Sequence, residues 1–589
     1  MDHVRDPSVS RVAASRLSPD RRRADLDRLR RERFDVLIVG GGVTGAGAAV
    51  DAASRGLSVA LVEARDLASG TSSRSTKLVH GGLRYLEQLD LGLVHEALQE
   101  RGLLATRLAP HLVRPMPFLL PLPREAWYGH LLRGYYGAGV AIYDVFAGLV
   151  GGDRGMPMHR HLSARAARRV FPSLRADTVA GAIQFYDAQV DDARLVTTLA
   201  RTAASLGAAV VTSTRATAIL RDAREVKGVR VEDVESGETF EVAARTVVAA
   251  TGVWSDDVAD MLLAGGGPFR PGLRVRASKG VHIVVPRSAI SGETGLIVRT
   301  SSSVLFVVPW GGHWIVGTTD TDWRLDRAHP AASAKDIEYL LGQVNNVLER
   351  PLSTSDIEGV YAGLRPLLSG EDEATSSLSR EHAVVEPMLG LMLVAGGKLT
   401  TYRVMAADVI DRAVRRLGSA VPRSRTDALP LLGADGYARL RRDPFSLAAR
   451  HGVSTGVAEH LLDRYGALAV DVLSLLRSAP ELAESLDGAP SYLAVEIAYA
   501  ARAEAALHLE DALARRTRVS FETVHRGEES APHAARIMGD VLGWDARQRG
   551  REIEHYVARV EAERESQRMP DDLTADAARL GAPDVRARS

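Results

Sequence analysis

The chain has 589 residues, with 74 Lys plus Arg balanced by 74 Asp plus Glu, so its formal net charge at neutral pH is zero. That length allows about two to four domains, and the charge balance supplies no global attraction to nucleic acid. There is no cysteine, which excludes disulfides, thiolate nucleophiles, cysteine-bound iron–sulfur clusters and cysteinyl flavin links, so any redox chemistry must come from a bound cofactor.

Residues 1–33 are rich in arginine and lack an apolar core of the kind a secretory signal needs. They are expected to be a poorly ordered basic extension with a short helix near Asp20 to Glu32. Phe34 to Glu63, FDVLIVGGGVTGAGAAVDAASRGLSVALVE, then predicts a strand, a glycine turn, a helix and a second strand. Gly40, Gly42 and Gly45 fit GxGxxG: the first allows a tight turn, the second a close approach to a pyrophosphate, the third tight packing of helix on strand. The helix N-terminus then faces the phosphates. Glu63 stands where it can accept from a ribose 2'-hydroxyl, which selects an adenosine diphosphate moiety; NAD and FAD fit this unit equally.

The loop that follows is dense in hydroxyls (Thr71, Ser72, Ser73, Ser75 and Thr76) and ends in His80, Gly81, Gly82, Arg84 and Tyr85. Small hydroxyls and a glycine pair permit close approach to a cofactor, and Arg84 with Tyr85 suits an anionic substrate. Leu86 to Leu104 predicts a helix, and Pro110 to Pro123 reads as a segment broken by prolines. The aromatic stretch Trp127 to Val150 is expected in the core, with an interfacial membrane contact as the alternative. No segment reaches the roughly 18–20 uncharged apolar residues of a membrane span; the nearest approach, Gly134 to Val150, carries Asp144. Neither HExxH nor a His/Asp cluster with zinc spacing occurs, so no metal is expected.

Asp191 and Asp192 are expected to cap a helix over Ala193 to Ser205. Strands follow, and Thr246 to Ala250 is expected to return to the nucleotide sheet, bringing Gly252 near the cofactor. Leu273 to Thr318 predicts a second, mostly antiparallel sheet over the cofactor. Gly396 and Gly397 precede Lys398, and Thr400 or Thr401 is expected to cap a helix running to Leu417. The N-terminus of such a helix suits the negative charge that builds on a reduced flavin. Residues 419–436 read as a linker, 437–569 as an all-α C-terminal domain and 570–589 as a tail.

The fingerprint GGGVTGAG and the segment TSSRSTKLVHGGLRYLE resemble the FAD-dependent glycerol-3-phosphate dehydrogenases, respiratory enzymes that pass electrons to quinone. DAQVDDARLV, AATGVWSDDV, KGVHIVVP, VGTTDTDW, GLRPLL and GGKLTTYR follow in that family's order. The resemblance implies an α/β fold: a Rossmann-like FAD-binding domain over 34–418, with an interleaved substrate sheet at about 86–180 and 265–360, plus the helical C-terminal domain. It implies oxidation of sn-glycerol 3-phosphate at C2 to dihydroxyacetone phosphate, with His282, Arg365 and Lys398 in catalysis. Arg84, Tyr85, Arg365, Arg380 and Lys398 form the phosphate clamp, and His80 competes with His282 for the role of base. Gly40, Gly42, Gly45, Glu63, Thr71, Ser72, Ser75, Lys77, His80, Gly81, Gly252 and Thr400 are the implied FAD contacts. A quinone acceptor, a cytoplasmic protein in peripheral contact with the inner face of the membrane, and a homo-oligomer, a dimer, are implied as well. The competing readings are an oxygen-reducing glycerol-3-phosphate oxidase, another FAD-dependent amine or alcohol oxidoreductase, and a flavin-binding protein without turnover.

Overall fold

The computed structural model describes residues 7–82, 91–124, 156–264, 273–300, 304–368, 381–418 and 421–586. Arg33–Val39 is an inner strand of an eight-stranded sheet. It runs parallel to Val59–Val62 on one side and to Thr239–Ala249 on the other, and Ala209–Val211 and Leu391–Gly396 continue the parallel set outward. Phe34, Val36, Leu37 and Ile38 are all buried, as a strand covered on both faces requires; this is why its apolar residues run on without alternation. Val43–Ser54 packs against Asp192–Ser205 and Tyr402–Val414. That contact depends on small residues, since a Cβ on Gly47 would lie 2.8 Å from the Tyr402 ring.

The second sheet has ten strands. Val275–Pro286 pairs antiparallel with Gly359–Leu368 on one side and with His313–Gly317 and Thr321–Trp323 on the other. The proline-broken segment is itself a strand here, Arg114–Pro123, antiparallel to Val179–Gln189. Pro115, Pro117, Pro121 and Pro123 occupy alternate positions, so the missing N–H groups all fall on one edge of the strand while Met116, Phe118, Leu120 and Leu122 keep theirs.

From Pro7 onward the N-terminal extension is helical: the helix expected near Asp20 to Glu32 is Pro19–Arg31, whose N-cap Ser18 accepts from the Arg21 N–H, and a second helix, Pro7–Ala14, precedes it where a poorly ordered stretch was expected. Leu26 and Leu29 are buried with Phe34 and Ala209 in one apolar cluster. The helix's arginines are matched by acids, Arg21 and Arg28 by the buried Asp25 and Arg22 by Asp233. The tail, as far as Arg586, is folded onto the body as well. Asp572–Arg579 forms a helix, Asp572 pairs with the buried Lys279, and Arg586 pairs with Asp511.

Between Tyr437 and Ser566 the chain is helical apart from a two-stranded ribbon, Ser485–Leu486 with Ala489–Leu493, so this region is not purely α. Ion pairs hold it to the cofactor fold: Arg516 to Asp66, Arg194 to Glu504, and Arg518 to Asp191 and Asp192. The aromatic stretch 127–150 lies outside the described residues. Among the described residues no helix is long and apolar enough to cross a membrane.

Candidate active site

A cavity of about 640 Å³ runs between the two sheets, from Gly40 and Glu63 at one end to His282, Arg365 and Lys398 at the other. At the first end the glycines do distinct work. Gly40 has φ +112°, and a Cβ there would lie 2.5 Å from the Ala250 carbonyl oxygen. A Cβ on Gly45 would lie 1.9 Å from the Gly40 carbonyl oxygen, so strand, turn and helix close only without side chains. Gly42 is the N-cap of Val43–Ser54 and brings no capping side chain; Ser72 Oγ instead accepts from the Val43 N–H at 3.0 Å. Glu63 lines the cavity, with Oε2 accepting from the Gly41 N–H at 2.7 Å and Oε1 from the Arg65 N–H at 2.9 Å. Gly252, on the returning chain, also lines it.

The hydroxyl loop is divided in its roles. Thr71, Ser72, Ser75 and His80 line the cavity, and the Thr71 hydroxyl donates to the Leu364 carbonyl at 2.6 Å. The Ser75 hydroxyl turns away, to Asp192 at 2.7 Å. Lys77, expected at the cofactor, does not reach the cavity: it is fully buried, with Nζ donating to the Ser73 carbonyl and to both oxygens of Asp192. Burial pulls its ammonium down to about 8 against the opposing pull of Asp192, and a buried ammonium must be paired, which decides where it points. Gly81 and Thr400 also sit behind the wall. The Gly81 N–H donates to Asp187, while Thr400 Oγ1 accepts from the His80 N–H and donates to the His80 carbonyl, both at 3.1 Å. Thr401 is the N-cap of Tyr402–Val414, yet neither threonine caps it through its side chain.

At the other end, pairing register builds the site. Ser278, Gly280 and His282 stand opposite Arg365, Gly363 and Tyr361. Gly280 leaves the space Arg365 occupies, since a Cβ there would lie 2.7 Å from Arg365 Nη2; on the neighbouring strand a Cβ on Gly317 would lie 2.3 Å from the His282 ring. His282 stacks on Tyr361 with centroids 4.7 Å apart and 13° between planes. Its Nε2 meets Thr76 Oγ1 at 2.9 Å, and Nδ1 is buried with no hydrogen-bond partner among the described residues. Burial, then the charges of Arg365 and Lys77, hold the imidazole well below its ordinary pKa, so it is neutral at neutral pH. Arg365 donates to Thr318 Oγ1 and the Thr319 carbonyl and lies 3.5 Å from Asp320.

The structure thus brings His282, Arg365, Lys398 and His80 to one cavity. Arg84, Tyr85 and Arg380 lie outside the described residues. Sequence reasoning counted Thr76 only among the loop hydroxyls and did not name Tyr361; these are the groups that hold the His282 ring. Tyr361 and Arg365 are four residues apart on the strand Gly359–Leu368 and so share a face, but the place of Tyr361 against His282 depends on cross-strand register.

The cradle suits FAD: the cavity takes in a helix N-terminus free of a capping side chain, an acid at the ribose position, and the cationic Arg365 and Lys398. A family model described as FAD dependent oxidoreductase matches residues 35–403, and one described as the C-terminal domain of alpha-glycerophosphate oxidase matches residues 424–549. The chain is 54% identical over 574 residues to "Glycerol-3-phosphate dehydrogenase 2" of Mycobacterium tuberculosis, covering 98% of this chain and 96% of that protein. It is 37% identical over 548 residues to the mitochondrial glycerol-3-phosphate dehydrogenase of Homo sapiens, covering 88% and 72%. The solved glycerol-3-phosphate dehydrogenase of Bacillus halodurans, complexed with FAD, superposes with a TM-score of 0.75 at 27% identity, covering 92% of this chain and 98% of that one. The chain belongs to the FAD-dependent glycerol-3-phosphate dehydrogenase family.

Proposed function

We propose that the protein oxidises sn-glycerol 3-phosphate at C2 to dihydroxyacetone phosphate and passes the electrons to a quinone, in peripheral contact with a membrane. The observation that carries the reading is the joint placement of His282, Arg365 and Lys398 in the cavity that starts at the glycine cradle. FAD, held by Gly40, Gly42, Glu63, Ser72 and Gly252, supplies the hydride acceptor. The remaining work belongs to the chain. Arg365 and Lys398 provide charge-assisted hydrogen bonds to the substrate phosphate, and Arg84, Tyr85 and Arg380 are assigned to the same clamp by family resemblance.

His282 is the base. With Nδ1 protonated, the Nε2 lone pair accepts from Thr76 in the resting site and takes the C2 hydroxyl proton from substrate. Burial, and then Arg365, keep the free imidazole neutral; a phosphate dianion on Arg365 offsets that second contribution and raises the basicity of the ring when substrate is bound. Stacking on Tyr361 fixes the ring plane.

The test is anaerobic titration of the holoenzyme with glycerol 3-phosphate while the flavin absorbance is followed. Bleaching is expected, and an unbleached flavin rejects the substrate. His282→Ala is expected to slow flavin reduction by about 10²-fold or more, with His80→Ala much closer to the parent. Unchanged reduction in His282→Ala removes it as the base. Adding a soluble quinone should restore the oxidised spectrum without hydrogen peroxide; rapid peroxide formation in air would instead assign an oxidase.

A further inference from the structure

A second cavity, of about 80 Å³, lies where the hydroxyl loop, the strand of Tyr361 and the C-terminal helices meet. It exceeds the space one water needs. Its wall carries five guanidinium groups, from Arg74, Arg515, Arg518, Arg559 and Arg579, against two carboxylates, Glu510 and Glu563. Two of the five are matched by other acids: Arg515 by Asp66 and Asp511, Arg518 by Asp191 and Asp192.

Of the other three, Arg74 and Arg579 are under-compensated, while Arg559, despite its burial, is held above its ordinary pKa by Glu563 and Glu510. Arg74 makes no salt bridge among the described residues; its Nη1 donates to the Ala328 carbonyl at 3.2 Å. Arg559 and Arg579 share Glu563, the latter at 3.8 Å, and Glu510 stands 3.9 Å from Arg559. Arg559 is itself 6% exposed, and its Nε and Nη2 are buried without a hydrogen-bond partner among the described residues. Burial, with Arg65 adding to it, pulls the Arg74 guanidinium down to about 9, and burial pulls Arg579 down despite Glu563. Buried charge in this arrangement calls for a counter-charge, and planar guanidinium forks fit the edges of an oxyanion.

We propose that this cavity binds an oxyanion of phosphate size, held by Arg74, Arg559 and Arg579. It is distinct from the substrate clamp, which lies in the larger cavity at Arg365 and Lys398. Occupancy joins three parts of the chain: the loop beside the cofactor through Arg74, the long helix Ala546–Ser566 through Arg559, and the tail helix Asp572–Arg579 through Arg579. Anion binding therefore stabilises the docking of the C-terminal region.

Two measurements on the FAD-loaded, full-length enzyme decide it. In crystals grown with selenate, an anomalous difference peak is expected between Arg559 and Arg579; ordered water alone in that cavity overturns the proposal. In equilibrium dialysis with labelled phosphate, dihydroxyacetone phosphate in excess blocks the substrate clamp, and one further phosphate per chain is expected to remain. Arg579→Gln should weaken that phosphate by about tenfold or more, the loss of one charge-assisted hydrogen bond, while the flavin is still reduced by glycerol 3-phosphate. Arg559→Lys, which keeps the charge but removes the fork, should weaken it as well and serves if the first variant does not fold. No phosphate beyond the blocked site, or unchanged affinity in both variants, overturns the proposal. Retention of that phosphate against the excess dihydroxyacetone phosphate assigns the site to the free ion rather than to organic phosphates.

Discussion

His111 shows how a single side chain couples stability to pH. It is 1% exposed and packs into space left by Gly466, where a Cβ would lie 2.5 Å from its ring. Burial, aided by Arg114, pulls its pKa down to about 3 from the ordinary 6.5. The unfolded chain therefore binds a proton below about pH 6.5 that the folded chain refuses until about pH 3, so stability is lost as pH falls through that window. Between pH 7 and 5 this one group accounts for about 2 kcal/mol. Urea denaturation of the parent at the two pH values, compared with His111→Asn, is expected to show a smaller acid loss in the variant by about that amount. His282 acts in the same direction. The sequence named His282 as a candidate base because of the family motif around it. It was silent on His111, whose burial arises from glycines more than 300 positions away.

At the level of elements, the buried Lys77–Asp192 pair fastens the hydroxyl loop to the helix Asp192–Ser205. Asp192 also accepts from the Ser75 hydroxyl and from Arg518, so one carboxylate serves the cofactor loop and the C-terminal helices together. Lys77→Met leaves Asp192 still matched by Arg518, whereas Asp192→Asn leaves buried Lys77 without its carboxylate and Arg518 with Asp191 alone. Removing one member of a buried pair costs about 3–5 kcal/mol. The Asp192 variant is therefore expected at or above that range and the Lys77 variant near its lower end, as read by urea midpoints at constant flavin content. The reverse order would show that Arg518 does not depend on Asp192. The aspartate pair was legible as a helix cap because capping is local, and Asp191 does accept from the Arg194 N–H. The second role of Asp192 was hidden because its partners are 115 and 326 positions away. The same limit explains the strand Arg114–Pro123, where pairing with Val179–Gln189 overrides the usual reading of proline.

Across the whole molecule the two termini fasten the fold from outside. The tail places Asp572 on Lys279, which is fully buried and also paired with Asp336 at 2.6 Å, and the Met569 carbonyl accepts from the Ala334 N–H at 2.9 Å. Lys279 lies on the strand Val275–Pro286 that carries His282. Truncation after Met569 is expected to destabilise the enzyme by about 3–5 kcal/mol, since it strips partners from buried Lys279 and Asp511, and to accelerate thermal inactivation. Asp572→Ala alone should reproduce only part of that loss, because Asp336 remains. A truncated chain with parental stability would show the tail to be passive.

The nucleotide cradle was determined by sequence alone, because a strand, a glycine turn, a helix and an acid in close succession obey local sterics that leave little choice of conformation. The order of the family motifs likewise carried the cofactor and the reaction class. Tertiary structure decided everything that depends on distance in sequence. It set Tyr361 against His282 through strand register, and it drew Lys77 away from the cofactor to Asp192. It also folded the charged N-terminal extension and tail onto the body, and it gathered five arginines from four separate segments around one small cavity. The physical reason is common to all four. A charged or polar side chain is placed by the partner that compensates its burial, and that partner is chosen by the packing of the whole chain rather than by its neighbours in sequence.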